Sequence, residues 1–152
     1  MAARVVQFNE VKSLVGQELG VSDWHVVTQP EIQTFADATH DHQWIHLDVE
    51  RAKKESTFGG PIAHGYYTLS LAPYLMSQIW SVQGIKMGVN YGLNKLRFPA
   101  PVPIGKRVRA RAKLENVEDV PGGMQVTVGI SFEVEGGTKP VCIAEGLFRY
   151  YS

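Results

Sequence analysis

Met124-Gln125-Val126-Thr127-Val128-Gly129-Ile130-Ser131-Phe132-Glu133-Val134 alternates apolar with polar or small residues from end to end. Successive side chains of a strand point to opposite faces, so this period of two describes a strand with one buried face and one wet face. Working outward, Val108, Ala110, Ala112 and Leu114 alternate with Arg107, Arg109, Arg111 and Lys113 in the same way. Pro121-Gly122-Gly123 turns the chain between the two runs, and Gly136-Gly137 turns it again before a closing strand over Val141 to Tyr151. Ile85 to Phe98 is a β-leaning run interrupted by glycines, followed by the stiff connection Pro99-Ala100-Pro101-Val102-Pro103-Ile104-Gly105. The second half of the chain therefore reads as an antiparallel meander.

A sheet with one apolar face needs a cover, and the first half supplies it. Glu18 to Val27 is apolar and β-leaning, predicting one strand. Thr28-Gln29-Pro30-Glu31 has the residues of a helix start: a hydroxyl to accept from free amides, a proline tolerated in the first turn, and a glutamate to complete a capping box. Ile32, Phe35 and Ala36 follow at helical spacing, so a short helix ends near Thr39. A second short, charged helix begins at Asp48, and Thr57-Phe58-Gly59-Gly60-Pro61 is a loop. From His64 onward, Tyr66, Leu69, Ala72, Leu75, Met76, Ile79 and Trp80 keep the helical period, with apolar residues also on much of the opposite face. That pattern predicts one long, mostly buried helix, kinked at Pro73, which has no amide and clashes with the carbonyl of Leu69. The layout is α+β, an antiparallel sheet wrapped around that helix.

The chain of 152 residues, with 44% apolar, suits a single domain, taken as residues 1–152. Fifteen basic and fifteen acidic residues cancel, which gives no global field to gather nucleic acid or an anionic membrane. Residues 1–13 lack a secretory apolar core, and Pro61 to Trp80 is too polar to span a bilayer. Cys142 is alone, so no intrachain disulfide forms. A soluble, cytoplasmic protein is expected.

The chemistry concentrates in Ala38-Thr39-His40-Asp41-His42-Gln43-Trp44-Ile45-His46. Asp41 and His46, on a loop between two helices, can converge on one water, a pairing used in general acid-base chemistry. Spacing alone favours the plainer reading, that Asp41 caps a helix or turn and His46 packs, because short Asp/His combinations often arise by chance. A metal held by His40, Asp41, His42, His46 and His64 is weighed against this and set aside, because the spacing follows no standard ligand pattern. Gly65, opening the long helix, can offer its amide to a developing oxyanion or merely make room for a turn. Ser70 can bond its own helix or orient Asp41. The ladder Arg107, Arg109, Arg111 and Lys113 is read as a solvated strand face, with contact to ligand phosphates as the alternative.

Phe35 through His46, then Gly59-Gly60-Pro61-Ile62-Ala63-His64-Gly65 and Asn90 through Pro103, resemble the MaoC-like family of hot-dog-fold (R)-specific enoyl-CoA hydratases, in the single-domain branch that includes nodulation protein N. The resemblance implies Asp41 and His46 as the catalytic pair, Gly65 as the oxyanion amide and Ser70 as a supporting residue. It further implies (R)-specific hydration of trans-2-enoyl thioesters, or the reverse dehydration. No metal or redox cofactor is implied, with coenzyme A or acyl carrier protein serving as carrier, and the expected assembly is a homodimer joined sheet edge to sheet edge. A thioesterase, or a non-catalytic acyl-thioester binder, is the alternative. One departure from the family is His40, which stands where the family usually has glycine.

Overall fold

The computed structural model describes residues 2–152. Its strands are β1 (Arg4–Gln7), β2 (Glu18–Val21), β3 (His25–Val26), β4 (Trp80–Gln83), β5 (Met87–Arg97), β6 (Arg107–Val120), β7 (Gly123–Val134) and β8 (Cys142–Tyr151). Its helices are α1 (Gln29–Thr39), α2 (Trp44–Leu47), α3 (Val49–Glu55), α4 (Gly65–Ser70) and α5 (Ala72–Ser77), with a 3-10 helix at Phe8–Leu14. The main sheet runs β2-β6-β7-β8-β5, antiparallel throughout, with β3 also paired to β6. β1 and β4 form a separate parallel pair.

The period-two stretches do what their pattern requires. Val108, Ala110, Ala112 and Leu114 of β6 are buried, as are Val126, Val128, Ile130 and Phe132 of β7, and they form one apolar layer with Leu75, Met76 and Ile79. On the other face of β6 the arginines are paired across the sheet, Arg107 with Glu135, Arg109 with Glu133, and Arg111 with both Glu18 and Glu133. Trp24 lies under the Arg109 guanidinium, 4.3 Å from its carbon. The ladder is thus a wet, charge-compensated face.

Four local expectations are corrected. Glu18 to Val27 is two short strands rather than one, split where the Ser22 hydroxyl accepts from the Ala110 amide. The single long helix is two, α4 and α5, which divide at Leu71: Pro73 supplies no amide, and the break comes two residues before it. Their surface is also less covered than the apolar count suggests, with Tyr66 at 66% and Tyr74 at 54% exposure. Thr28 does cap α1 through the Glu31 amide, but the capping box stays half made, because the Glu31 carboxylate accepts from the Tyr67 hydroxyl and pairs with His25 instead. Part-burial would push the Glu31 carboxyl up, yet these two partners hold it below its ordinary range.

Candidate active site

The histidine-rich stretch begins at a helix end. α1 stops at His40, the one non-glycine residue with positive φ among those described (φ 64°, ψ 19°), in the left-handed conformation that terminates many helices. That conformation favours glycine because a Cβ crowds the following carbonyl. The chain then bends at Asp41, whose carboxylate accepts from the Gln43 amide at 3.3 Å. One helical turn, α2, carries His46 inward to 6% exposure. The expected loop between the two helices therefore contains a further turn of helix. With only four residues, it is too short to leave a periodic signal.

Three hydrogen bonds fasten this stretch to the segment before α4. The Ile62 amide donates to the Ile45 carbonyl at 3.0 Å, the His46 Nδ1–H to the Ile62 carbonyl at 2.7 Å, and the His64 Nε2–H to the Asp41 carbonyl at 3.0 Å. The segment is held from its other side as well: the Ala63 amide donates to Val102, the Ile104 amide to Pro61, and Ile62 bridges Pro103. The Gln29 amide closes the set by donating to the His46 carbonyl at 2.7 Å.

Asp41, His46 and His64 consequently converge, with one polar side-chain atom of each within 4.8 Å of the others. The imidazoles of His46 and His64 stack, centres 3.8 Å apart and 25° from parallel. Phe35 lies 5.0 Å from His64 on a third side. Phe35, Thr39, Asp41, His46, His64, Gly65, Tyr66 and Phe98 enclose a hollow of about 480 Å³. Because Nδ1 of His46 is committed as a donor, the lone pair of its neutral form sits on Nε2. Burial, and then the neighbouring His64, push the His46 imidazole below its ordinary value, against the raising effects of the Ile62 carbonyl and Asp41. A neutral imidazole with a free lone pair beside a carboxylate is equipped to take a proton from water.

These three side chains are also of metal-ligating type. A zinc ion needs lone pairs aimed at one point about 2.0–2.1 Å away. Stacked rings carry theirs in near-parallel planes, side by side, and one nitrogen of each ring is already spent on a carbonyl.

His40 and His42 stand apart from the site, His42 pairing with Asp37 at 2.9 Å on the surface. Gly65 borders the hollow beneath the Phe98 ring, and as the first residue of α4 its amide has no acceptor within the helix. Ser70 is not joined to Asp41: its exposed hydroxyl donates back to Tyr66 at 2.6 Å, and it borders a different hollow with Asn90, Tyr91 and Phe148. The stacking of His64 and the covering by Phe98 went unread in the sequence, where the only hint was a histidine just ahead of the helix.

The model of the MaoC like domain matches residues 10–135 of this chain. The 3-hydroxyacyl-thioester dehydratase Z of Mycobacterium tuberculosis is 53% identical over 142 residues, covering 93% of each chain. Nodulation protein N of Rhizobium leguminosarum bv. viciae is 46% identical over 137 residues, covering 89% of this chain and 85% of its own. Among solved structures, an (R)-hydratase from A. caviae involved in PHA biosynthesis superposes with TM-score 0.72 at 25% identity, covering 88% of this chain and 94% of that one.

Proposed function

This chain belongs to the MaoC-like dehydratase family, and from that membership we propose how its site works. The protein is a hydro-lyase of acyl thioesters: it adds water across the double bond of a trans-2-enoyl thioester to give the (3R)-3-hydroxyacyl product, or runs the reverse dehydration. The observation that carries the residue assignment is the convergence of a neutral, inward-facing His46 and the Asp41 carboxylate on one hollow.

In the hydration direction, Asp41 and His46 hold one water over C3. The Nε2 lone pair of His46 takes a proton as the water oxygen bonds to C3 and the double-bond electrons move toward the thioester carbonyl. The Gly65 amide donates to the enolate-like oxygen, where a fixed donor stabilises charge as it develops. A proton returned from the pair to C2 completes the addition, so atoms and charge balance without a redox or metal cofactor. Coenzyme A or acyl carrier protein enters only as the carrier. Ser70 has no part in this reading.

The working unit is proposed to be a homodimer. β5 is an edge strand with Met87 at 54%, Tyr91 at 54% and Leu93 at 43% exposure, and the uncovered sides of α4 and α5 adjoin it. Long apolar edges invite a further strand, and a second copy of β5 would provide one.

Mixing the protein with crotonyl-CoA and longer enoyl-CoAs and following loss of the conjugated thioester tests the reading. Release of free thiol in place of hydration, or no change at any chain length, would sink it.

A further inference from the structure

His64 has no chemical step in the mechanism, yet it touches both residues that do. Its Nε2 lies 3.0 Å from the Asp41 carbonyl and 3.9 Å from the Asp41 carboxylate, and its ring backs that of His46 at 3.8 Å. It is 3% exposed, and its Nδ1 is buried without a hydrogen-bond partner. A side chain serving only to fill space would do better without an unpaired polar atom, since leaving one buried is costly. We propose that His64 is the positioning residue of this site: one side chain tethers the main chain of Asp41 through Nε2–H and fixes the ring plane of His46 by stacking against it.

This inference rests on Asp41 and His46 being the reacting pair. Its logic is geometric. Asp41 follows the strained turn at His40 and is itself exposed; the Gln43 amide holds its carboxylate locally, and the His64 tether is the bond that ties its main chain to the segment beside His46. His46 is tied at one ring nitrogen only, which leaves rotation about that bond to be blocked by a flat neighbour. The titratable groups facing His46 are Asp41 from the bend and His64 from the segment before α4, while α1 presents only Phe35 and Thr39. Replacing His64 therefore does two separable things. It frees Asp41, and it removes the neighbour that disfavours positive charge on His46.

Two variants separate these effects in the hydration assay. His64→Phe keeps a flat ring but has no donor; His64→Gln keeps a donor able to reach a carbonyl but has no ring. With His64→Phe, kcat should fall at least about tenfold with KM changed less, in line with loss of alignment. With His64→Gln, kcat should lie above that of His64→Phe. In both, the acid limb of the kcat/KM profile should move to higher pH, which a merely structural loss would not do. Parental kcat and an unmoved acid limb in His64→Phe would overturn the proposal, as would a His64→Gln variant no better than His64→Phe.

Should either variant lose the parental circular dichroism, ¹⁵N imidazole spectra of the unaltered protein decide. Protonation of His64 at Nε2 with Nδ1 bare supports the tether, and the opposite tautomer removes it. Parental activity in Asp41→Asn would instead refute the reading of the pair itself. Loss of activity there, with His64 variants unaffected, would refute only this inference.

Discussion

The imidazole of His46 is anchored by its Nδ1–H to the carbonyl oxygen of Ile62, at 2.7 Å, and this one bond selects the ring nitrogen that faces the hollow. A site that needs a base at Nε2 has its tautomer fixed by the backbone, before any substrate arrives.

Removing either member of the pair should cost at least about a hundredfold in turnover, the ordinary worth of a positioned acid-base group. Asp41→Asn is the cleaner of the two, since Asp41 is exposed and its main chain keeps the His64 contact. Steady-state hydration of crotonyl-CoA, with circular dichroism to verify folding, is the measurement. Near-parental rates in both Asp41→Asn and His46→Gln would refute the assignment.

The depressed His46 imidazole has a pH signature with a definite sign. Folding holds it neutral through pH values at which the unfolded chain has already taken a proton, so the unfolded state binds more protons there. Stability should therefore decline as pH falls below about 6.5, the free histidine value, and the contribution should level off once the folded imidazole also protonates. Urea unfolding from pH 8 to pH 5 would show this slope, and His46→Gln should flatten it. An equal slope in that variant would place the titration elsewhere.

His40 holds a backbone conformation that costs a side chain roughly 1 kcal/mol and costs glycine nothing. His40→Gly should thus be neutral or stabilising by up to about 1 kcal/mol, even allowing for the extra freedom glycine gains when unfolded. His40→Val should lose more than about 1 kcal/mol, a branched residue being least at ease there. Denaturant midpoints at constant slope would settle the order. If His40→Gly were the less stable of the two, the strain argument would fail.

A charge on the β5 edge should break the proposed dimer. Leu93→Arg should give the sedimentation mass of one chain where the parent gives two, with activity reduced alongside. An unchanged dimer would mean that β5 is not the joint.

Most of the sheet was legible because its pattern is physical: β6 and β7 alternate, and alternation has one structural meaning. The helix that covers it was legible as an element but not in its details. Pro73 announced a defect, yet where it fell, at Leu71, depends on how the flanking turns close. Glu31 shows the same limit from another side. Its place three residues after Thr28 predicted a local bond, and a phenol from α4, brought close only by folding, claimed the carboxylate. At the site, the proposed Asp41 and His46 pair could be named by family resemblance, where spacing alone favoured a capping residue and a packed one. The stacking of His64 could not, because it joins residues 18 positions apart through a contact that leaves no periodic trace.

The crosswise bonding of residues 41–46 to residues 62–64 also bears on how such a protein changes over time. Main-chain atoms make or receive each of those bonds. The excursion from Leu47 to Gly60 leaves the site and returns to it at fixed anchor points, as a bypass does. Outside the buried Ala52 and the core-packed Leu47, its length and composition can change, with room for insertions at the glycine pair Gly59-Gly60, while Asp41, His46 and His64 stay in register. A chain built this way can vary that excursion without disturbing how residues 41–46 meet residues 62–64.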